Sequence, residues 1–280
     1  MSVETFAIVS TVELAALATG LGVAGLAAGT VAGLLGVGGG IVLVPVLYQT
    51  LAILGVDESV RMPIAVGTSL ATIIATSIRS TLSHHAREAV DWRLLRAWAA
   101  PTVVGVLFGA WLASIIGGKG MTAVFAGGAA ALGLYMLVAR EAWRIGDAVP
   151  QGVGSWFLGF ANGCLSVLMG IGGGTFGVTV MTLYGVPIHR AVATAAGFGL
   201  IIGVPGAIGM MINGWNAPGL PPFSLGYVNL VGLALIVPAT IVAAPWGVAL
   251  AHWLSRRTLR VAFGGFLCLT ALRMSWALFG

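Results

Sequence analysis

The chemistry this sequence can offer is concentrated in two glycine clusters: Gly36, Gly38, Gly39 and Gly40 within GLLGVGGGIVLVPVL, and Gly170, Gly172, Gly173 and Gly174 within SVLMGIGGGTFGVTV. Such a run ends one helix and leaves the first amides of the next without an internal acceptor, and those amides carry partial positive charge. No Cβ shields them, so a small anion can be held by backbone groups as phosphates are held at helix starts in soluble proteins. Close helix packing through small residues is the competing reading. Neither cluster is a soluble nucleotide motif: Gly170 to Thr175 lacks the lysine of a phosphate loop, and Gly36 to Gly40 has no βαβ unit around it.

Hydroxyl and amide side chains near these clusters are the next candidates: Asn162, Ser166 and Thr175 beside the second cluster, and Thr68, Ser69 and Thr194 in two similar stretches, IAVGTSLATIIATS from Ile64 and RAVATAAGFGLIIG from Arg190. Thr68 and Thr194 form the more symmetric pair. The competing reading is a hydroxyl bonded to its own or a neighbouring helix backbone.

The elements that must position these groups are membrane helices. Of 280 residues, 59% are hydrophobic and 8% charged, at a mean hydropathy of +1.04, which excludes a soluble domain and predicts an all-α polytopic membrane protein. Apolar runs give spans near 12–35, 62–82, 94–116 and 121–139, then 153–169, 189–212, 226–250 and 259–279. Short pieces at 41–55 and 175–185 follow the glycine clusters. The expectation is about eight full spans plus two short helices. The N-terminus has Glu4 and Glu13 but no basic residue, so its first apolar run is expected to be retained rather than cleaved. Cys164 and Cys268 lie in apolar runs and read as small core residues, without a disulfide or metal framework.

The two glycine clusters lie 134 positions apart, Thr68 and Thr194 lie 126 apart, and Pro101 and Pro238 lie 137 apart. These offsets define two repeats, 1–146 and 147–280, in one integral membrane domain. Positive charge gives their orientation. The loop from Ser83, with Arg87, Arg93 and Arg96 and with Arg79 just before it, is expected to be cytoplasmic, whereas its counterpart from Asn213 has no Lys or Arg. Lys119 stands alone where the second half has Arg256, Arg257 and Arg260. The asymmetry reverses between halves, as inverted-topology repeats require. Arg140 and Arg144 place the central linker inside, which leaves both termini outside if the short pieces count as crossings. The formal charge of +5 is spread over these loops, which argues for topology rather than nucleic-acid binding.

Every carboxylate falls in a loop or near a span end: Glu4, Glu13, Asp57, Glu58, Glu88, Asp91, Glu141 and Asp147. Cation carriers and proton relays use acidic or histidine groups inside the membrane, so this arrangement favours an anion. Arg61, Arg190 and Arg273 read as span-end residues reaching the interface, and His84 and His85 as a solvated pair without further metal ligands. Trp92, Trp98, Trp111, Trp143 and Trp156 fit an aromatic belt. No Ser/His, Asp/Asp or His-Glu constellation lies within the spans, which argues against an intramembrane enzyme.

The paired GxGGG clusters, the AVGTS stretch from Ala65, the HxREAVDW loop from His85, LPPFSLGYVNL from Leu220 and RRTLRVAFGGFLCLTALRM from Arg256 together resemble the TauE/SafE sulfite exporter family, over about Leu26 to Met274. The second repeat departs from the pattern, with Ala193-Thr194-Ala195 where the first has Gly67-Thr68-Ser69. The resemblance implies movement of sulfite, sulfonates and related sulfur-containing anions, generally outward, across a bacterial inner (plasma) membrane. The resulting expectation is a secondary transporter of small anions working by alternating access, embedded in the lipid bilayer and needing no cofactor or metal. A coupling proton or ion and a homo-oligomeric state are left open. The alternatives are an anion channel and a carrier of another small carboxylate-type anion.

Overall fold

A computed structural model describes residues 11–35, 39–86, 88–138, 144–253 and 256–279. The helices are α1 (Thr11–Leu35), α2 (Gly40–Ile53), α3 (Glu58–His85), α4 (Trp92–Val138), α5 (Val153–Met169), α6 (Gly174–Leu183), α7 (Ile188–Asn213), α8 (Leu230–Trp253) and α9 (Arg256–Phe279). A two-residue hairpin, β1 (Ser224–Leu225) and β2 (Val228–Asn229), precedes α8. Four of the helices, α3, α4, α7 and α8, are long and apolar enough to cross a bilayer by length and composition alone, and shorter apolar helices lie between and beside them. The chain is an all-α polytopic membrane protein.

Helix ends follow the local sequence. The 47-residue α4 leaves helical geometry at Gly117 (φ 64, ψ −170), a left-handed turn that divides it into the two limbs predicted at 94–116 and 121–139. Asp57 caps α3 by accepting from the Ser59 amide at 2.9 Å. The Ser59 hydroxyl and amide together hold its carboxyl below the usual carboxylate range. A carboxylate whose folded pKa is depressed stabilises the fold above its unfolded pKa, so this cap is lost as pH falls through the folded value.

The packing joins the two halves of the sequence to each other. The first limb of α4 runs parallel to α5: a Cβ at Gly159 would meet Pro101, one at Gly163 would overlap the Thr102 carbonyl, and one at Gly109 would meet the Cys164 carbonyl at 2.8 Å. Parallel packing recurs between α1 and α8, with Gly25 against Ile236 and Ala239, and Gly29 against Thr240. Helices α3 and α7 cross antiparallel, Gly199 lying against Ser77 and Gly206 against Leu70. The second limb of α4 crosses α9 antiparallel, with Gly133 against Cys268 and Gly264 against Leu137. Exchanging the halves maps each pair onto another or onto itself. In lipid such close approach replaces hydrophobic drive, because tails are as apolar as the side chains they would displace. Gly163→Val is therefore expected to lower stability by about 1–3 kcal/mol, through overpacking against a carbonyl that cannot rotate away, and thermal unfolding in detergent reads the loss.

One reading changes. Trp98 is fully buried and its ring sits 5.8 Å from that of Phe198, so it belongs to the core and not to an aromatic belt. Trp92, Trp111 and Trp156 are exposed as expected, and Trp143 lies outside the described residues. The arginines at span ends are anchored by partners: Arg190 pairs with Asp91 at 3.3 Å, Arg273 donates to Gln49 at 3.2 Å, and Arg61 donates to the Val56 carbonyl.

Candidate functional site

Both glycine clusters break the chain in the same geometry. Gly39 precedes α2 at φ 74, ψ −8, and Gly173 precedes α6 at φ 73, ψ −6, both left-handed and both without a side-chain cap. Gly170 closes α5 in a left-handed cap of its own (φ 65, ψ 32), its amide donating to the Val167 carbonyl at 3.3 Å and the Ile171 amide to the Ser166 carbonyl at 2.9 Å. That pair of bonds is a Schellman ending, which turns the chain sharply without leaving the carbonyls orphaned. Gly172 is buried between these turns. Gly36 and Gly38 lie outside the described residues.

The two breaks touch. A Cβ at Gly40 would overlap the Gly170 carbonyl oxygen and would stand 2.9 Å from both the Ser69 hydroxyl and Ile73. Ser69 Oγ donates to that same carbonyl at 2.8 Å, tying α3 to the end of α5. Gly39 lies on Ala28, and Gly173 lies on Ile202, Phe198 and the Asn162 amide nitrogen, to which a Cβ would come within 3.2 Å. The structure thus brings Gly39, Gly40 and Ser69 to the end of α5 at Gly170, and Asn162 against Gly173 at the start of α6, with Gly172, Gly174 and Thr175 buried in the same stretch.

Three side chains there lack hydrogen bonds. Asn162 Nδ2 and Oδ1, Ser166 Oγ and Thr175 Oγ1 are buried with no partner among the described residues. Asn162 is 3%, Ser166 0% and Thr175 2% exposed. A buried polar atom left unpaired costs about 1–3 kcal/mol, so three such residues in one place mark a site that is incomplete on its own. The buried polar side chains among the described residues are all hydroxyls except the Asn162 amide, and none carries a charge.

Thr68 and Thr194 are placed differently. Thr68 Oγ1 accepts from the Asn229 amide at 2.9 Å, and Asn229 in turn caps α8 by accepting from the Gly232 amide at 2.8 Å. Thr194 Oγ1 accepts from the Asp91 amide at 2.9 Å, and Asp91 caps α4 by accepting from the Leu94 amide at 3.0 Å. Each hydroxyl therefore clasps the cap of a helix in the opposite half, at opposite ends of the α3–α7 pair. Sequence reasoning missed Asn229 and Asp91, although an Asn or Asp directly before a helical apolar run is a capping signal. The departure at Ala193 is explained here too: a Cβ at Gly67 would overlap the Tyr227 carbonyl of the hairpin loop, a constraint placed on the first repeat.

The family model described as sulfite exporter TauE/SafE matches residues 21–274. A Haemophilus influenzae protein named "Probable membrane transporter protein" is 31% identical over 250 residues, covering 89% of this chain and 95% of its own. The Bacillus subtilis "Probable membrane transporter protein YunE" is 27% identical over 85% of this chain and 89% of its own. A similarly named Methanocaldococcus jannaschii protein is 26% identical over 90% and 93%. No solved structure matches the chain.

Proposed function

The chain belongs to the sulfite exporter TauE/SafE family of membrane transporters, and from that premise we propose that it exports small sulfur-containing anions, sulfite or sulfonates, across a bacterial inner membrane by alternating access. The observation that carries this reading is the contact of the two glycine breaks, Gly40 against the Gly170 carbonyl, together with the buried unpaired side chains of Asn162, Ser166 and Thr175 in an interior whose buried polar side chains carry no charge among the described residues. Helix starts and unpaired donors stabilise negative charge, while the buried polar side chains among the described residues include no carboxylate to neutralise a cation. Repeats 1–146 and 147–280 are the two bodies that rock, with opposite membrane orientations. An anion leaving a negative-inside cell gains about 2.3 kcal/mol per charge per 100 mV, so export needs no coupling ion.

Burial of Asn162, Ser166 and Thr175 favours a carrier over an open channel, since the site is shut off from both faces in this conformation. Purified protein in liposomes loaded with sulfite, methanesulfonate, sulfate or acetate tests the proposal. We expect saturable efflux and counterflow of the first two, accelerated by an inside-negative potential. Efflux of acetate alone would replace the sulfur anion by a carboxylate, and efflux without counterflow would make the protein a channel.

A further inference from the structure

The two breaks share a backbone but not an environment. At the offset that aligns the glycine clusters, Asn162, Ser166 and Thr175 of the second half correspond to Ala28, Ala32 and Ile41 of the first. The α2 start is already faced by protein acceptors: the Gly170 carbonyl and the Ser69 hydroxyl oxygen both crowd Gly40. It is also wound more tightly, because Val42 and Leu43 both donate to the Gly39 carbonyl, at 3.0 and 3.1 Å. At α6 the Gly177 amide reaches the Gly173 carbonyl at 2.9 Å, and among the described residues the Phe176 amide makes no matching bond to it. The α6 start therefore presents the amides of Gly174, Thr175 and Phe176 beside unpaired Asn162, Ser166 and Thr175 side chains, whereas the α2 start is crowded by the Gly170 carbonyl and by the Ser69 hydroxyl, which already donates to that carbonyl, and is flanked by Ala28 and Ile73.

We infer that the α6 break alone holds the charged head of the substrate, an oxyanion bound by neutral donors, and that the α2 break supplies the apolar wall for the rest of it. Asn162 Nδ2, Ser166 Oγ and Thr175 Oγ1 donate to the head together with the first-turn amides of α6. The matching ligand has one anionic head and a short uncharged tail. A second charge at the far end would meet Ala28, Ile73 and the Gly170 carbonyl dipole, which offer it no donor. This inference rests on the proposed anion transport and specifies which half of the site reads the charge.

Calorimetric titration of the purified full chain tests it, with ethanesulfonate and 1,2-ethanedisulfonate as probes. Hydrogen bonds to charged groups predict that Asn162→Ala and Thr175→Val each weaken ethanesulfonate binding by roughly 10- to 100-fold. The unliganded thermal midpoint should stay level or rise, because each variant removes a buried group that has no partner in the empty site. A midpoint that stays level separates lost binding from lost folding. Ethanedisulfonate should bind at least about 10-fold more weakly than ethanesulfonate. Wild-type affinity in the Asn162→Ala, Thr175→Val double variant, or equal affinity for the two probes, overturns the inference while leaving anion transport standing. No binding of either probe to the wild-type chain overturns both.

Discussion

Leucine at position 40 leaves a membrane-inserted protein that carries less than about a tenth of the wild-type anion flux. The reason is geometric. Any Cβ there overlaps the Gly170 carbonyl oxygen and crowds Ser69 Oγ and Ile73 at 2.9 Å. A carbonyl cannot rotate aside, so the end of α5 must retreat and draw the Gly170 to Gly173 turn and the α6 start with it. Overpacking of this kind costs about 1–3 kcal/mol, and loss of the Ser69 to Gly170 bond adds about 1 kcal/mol. Those costs leave much of the fold in place, since the close contacts of α1 with α8 and of the second limb of α4 with α9 involve neither Gly40 nor the end of α5. A site displaced by even about 1 Å, however, no longer converges on its ligand. Efflux from liposomes, normalised to inserted protein, is the measurement, with Gly127→Ala as the comparison. Nothing lies within 4 Å of a Cβ at Gly127, on an exposed helix face. That variant keeps its flux and gains about 0.4–1 kcal/mol from a less flexible unfolded chain. Wild-type flux in Gly40→Leu would mean that the meeting of the breaks is packing alone.

How much of this could be read from the chain depends on which physics fixes each feature. Hydropathy placed α5 at 153–169 and α7 at 189–212, within a residue of the observed Val153–Met169 and Ile188–Asn213, because lipid forces continuous apolar helices. Glycine runs located both breaks for a related reason: only glycine takes the left-handed turns seen at Gly39 and Gly173 without strain. Side-chain roles were less legible. Thr68 and Thr194 looked like ligand groups from their symmetry, yet symmetry equally produces two clasps, and only the partner across the fold distinguishes them. Trp98 sits near a span end in sequence but is turned onto Phe198 by the α4–α7 contact, which no single-helix pattern records. The hairpin at Ser224 to Asn229 left no apolar period to detect, being two residues on each side.

The clasps supply the second large effect, and its sign differs between them. Thr194→Val keeps the side-chain volume but leaves the Asp91 amide without its acceptor, freeing the start of α4 at the face carrying Arg79 and Arg93. Thr68→Val does the same to Asn229 and the start of α8 at the opposite face, because α3 and α7 run antiparallel. Leaving a partly buried amide unpaired costs about 1–3 kcal/mol, and if that cost falls on the closed state of one face alone, the population open to that face rises roughly 5- to 150-fold. The exposed Arg190–Asp91 pair adds little to its clasp, being solvated. Labelling of Ser166→Cys by a membrane-impermeant thiol reagent, in a chain whose Cys164 and Cys268 are replaced by alanine, reads the shift in vesicles of either orientation. Thr194→Val should raise labelling from the arginine-rich face and Thr68→Val from the other. Faster labelling from one and the same face in both variants would show that the clasps merely stabilise the fold. In the double variant the two costs offset each other in the balance between faces while both still weigh against the closed conformation, so labelling should rise from both sides at once; transport then becomes faster if opening limits turnover and leaky if the two faces open together.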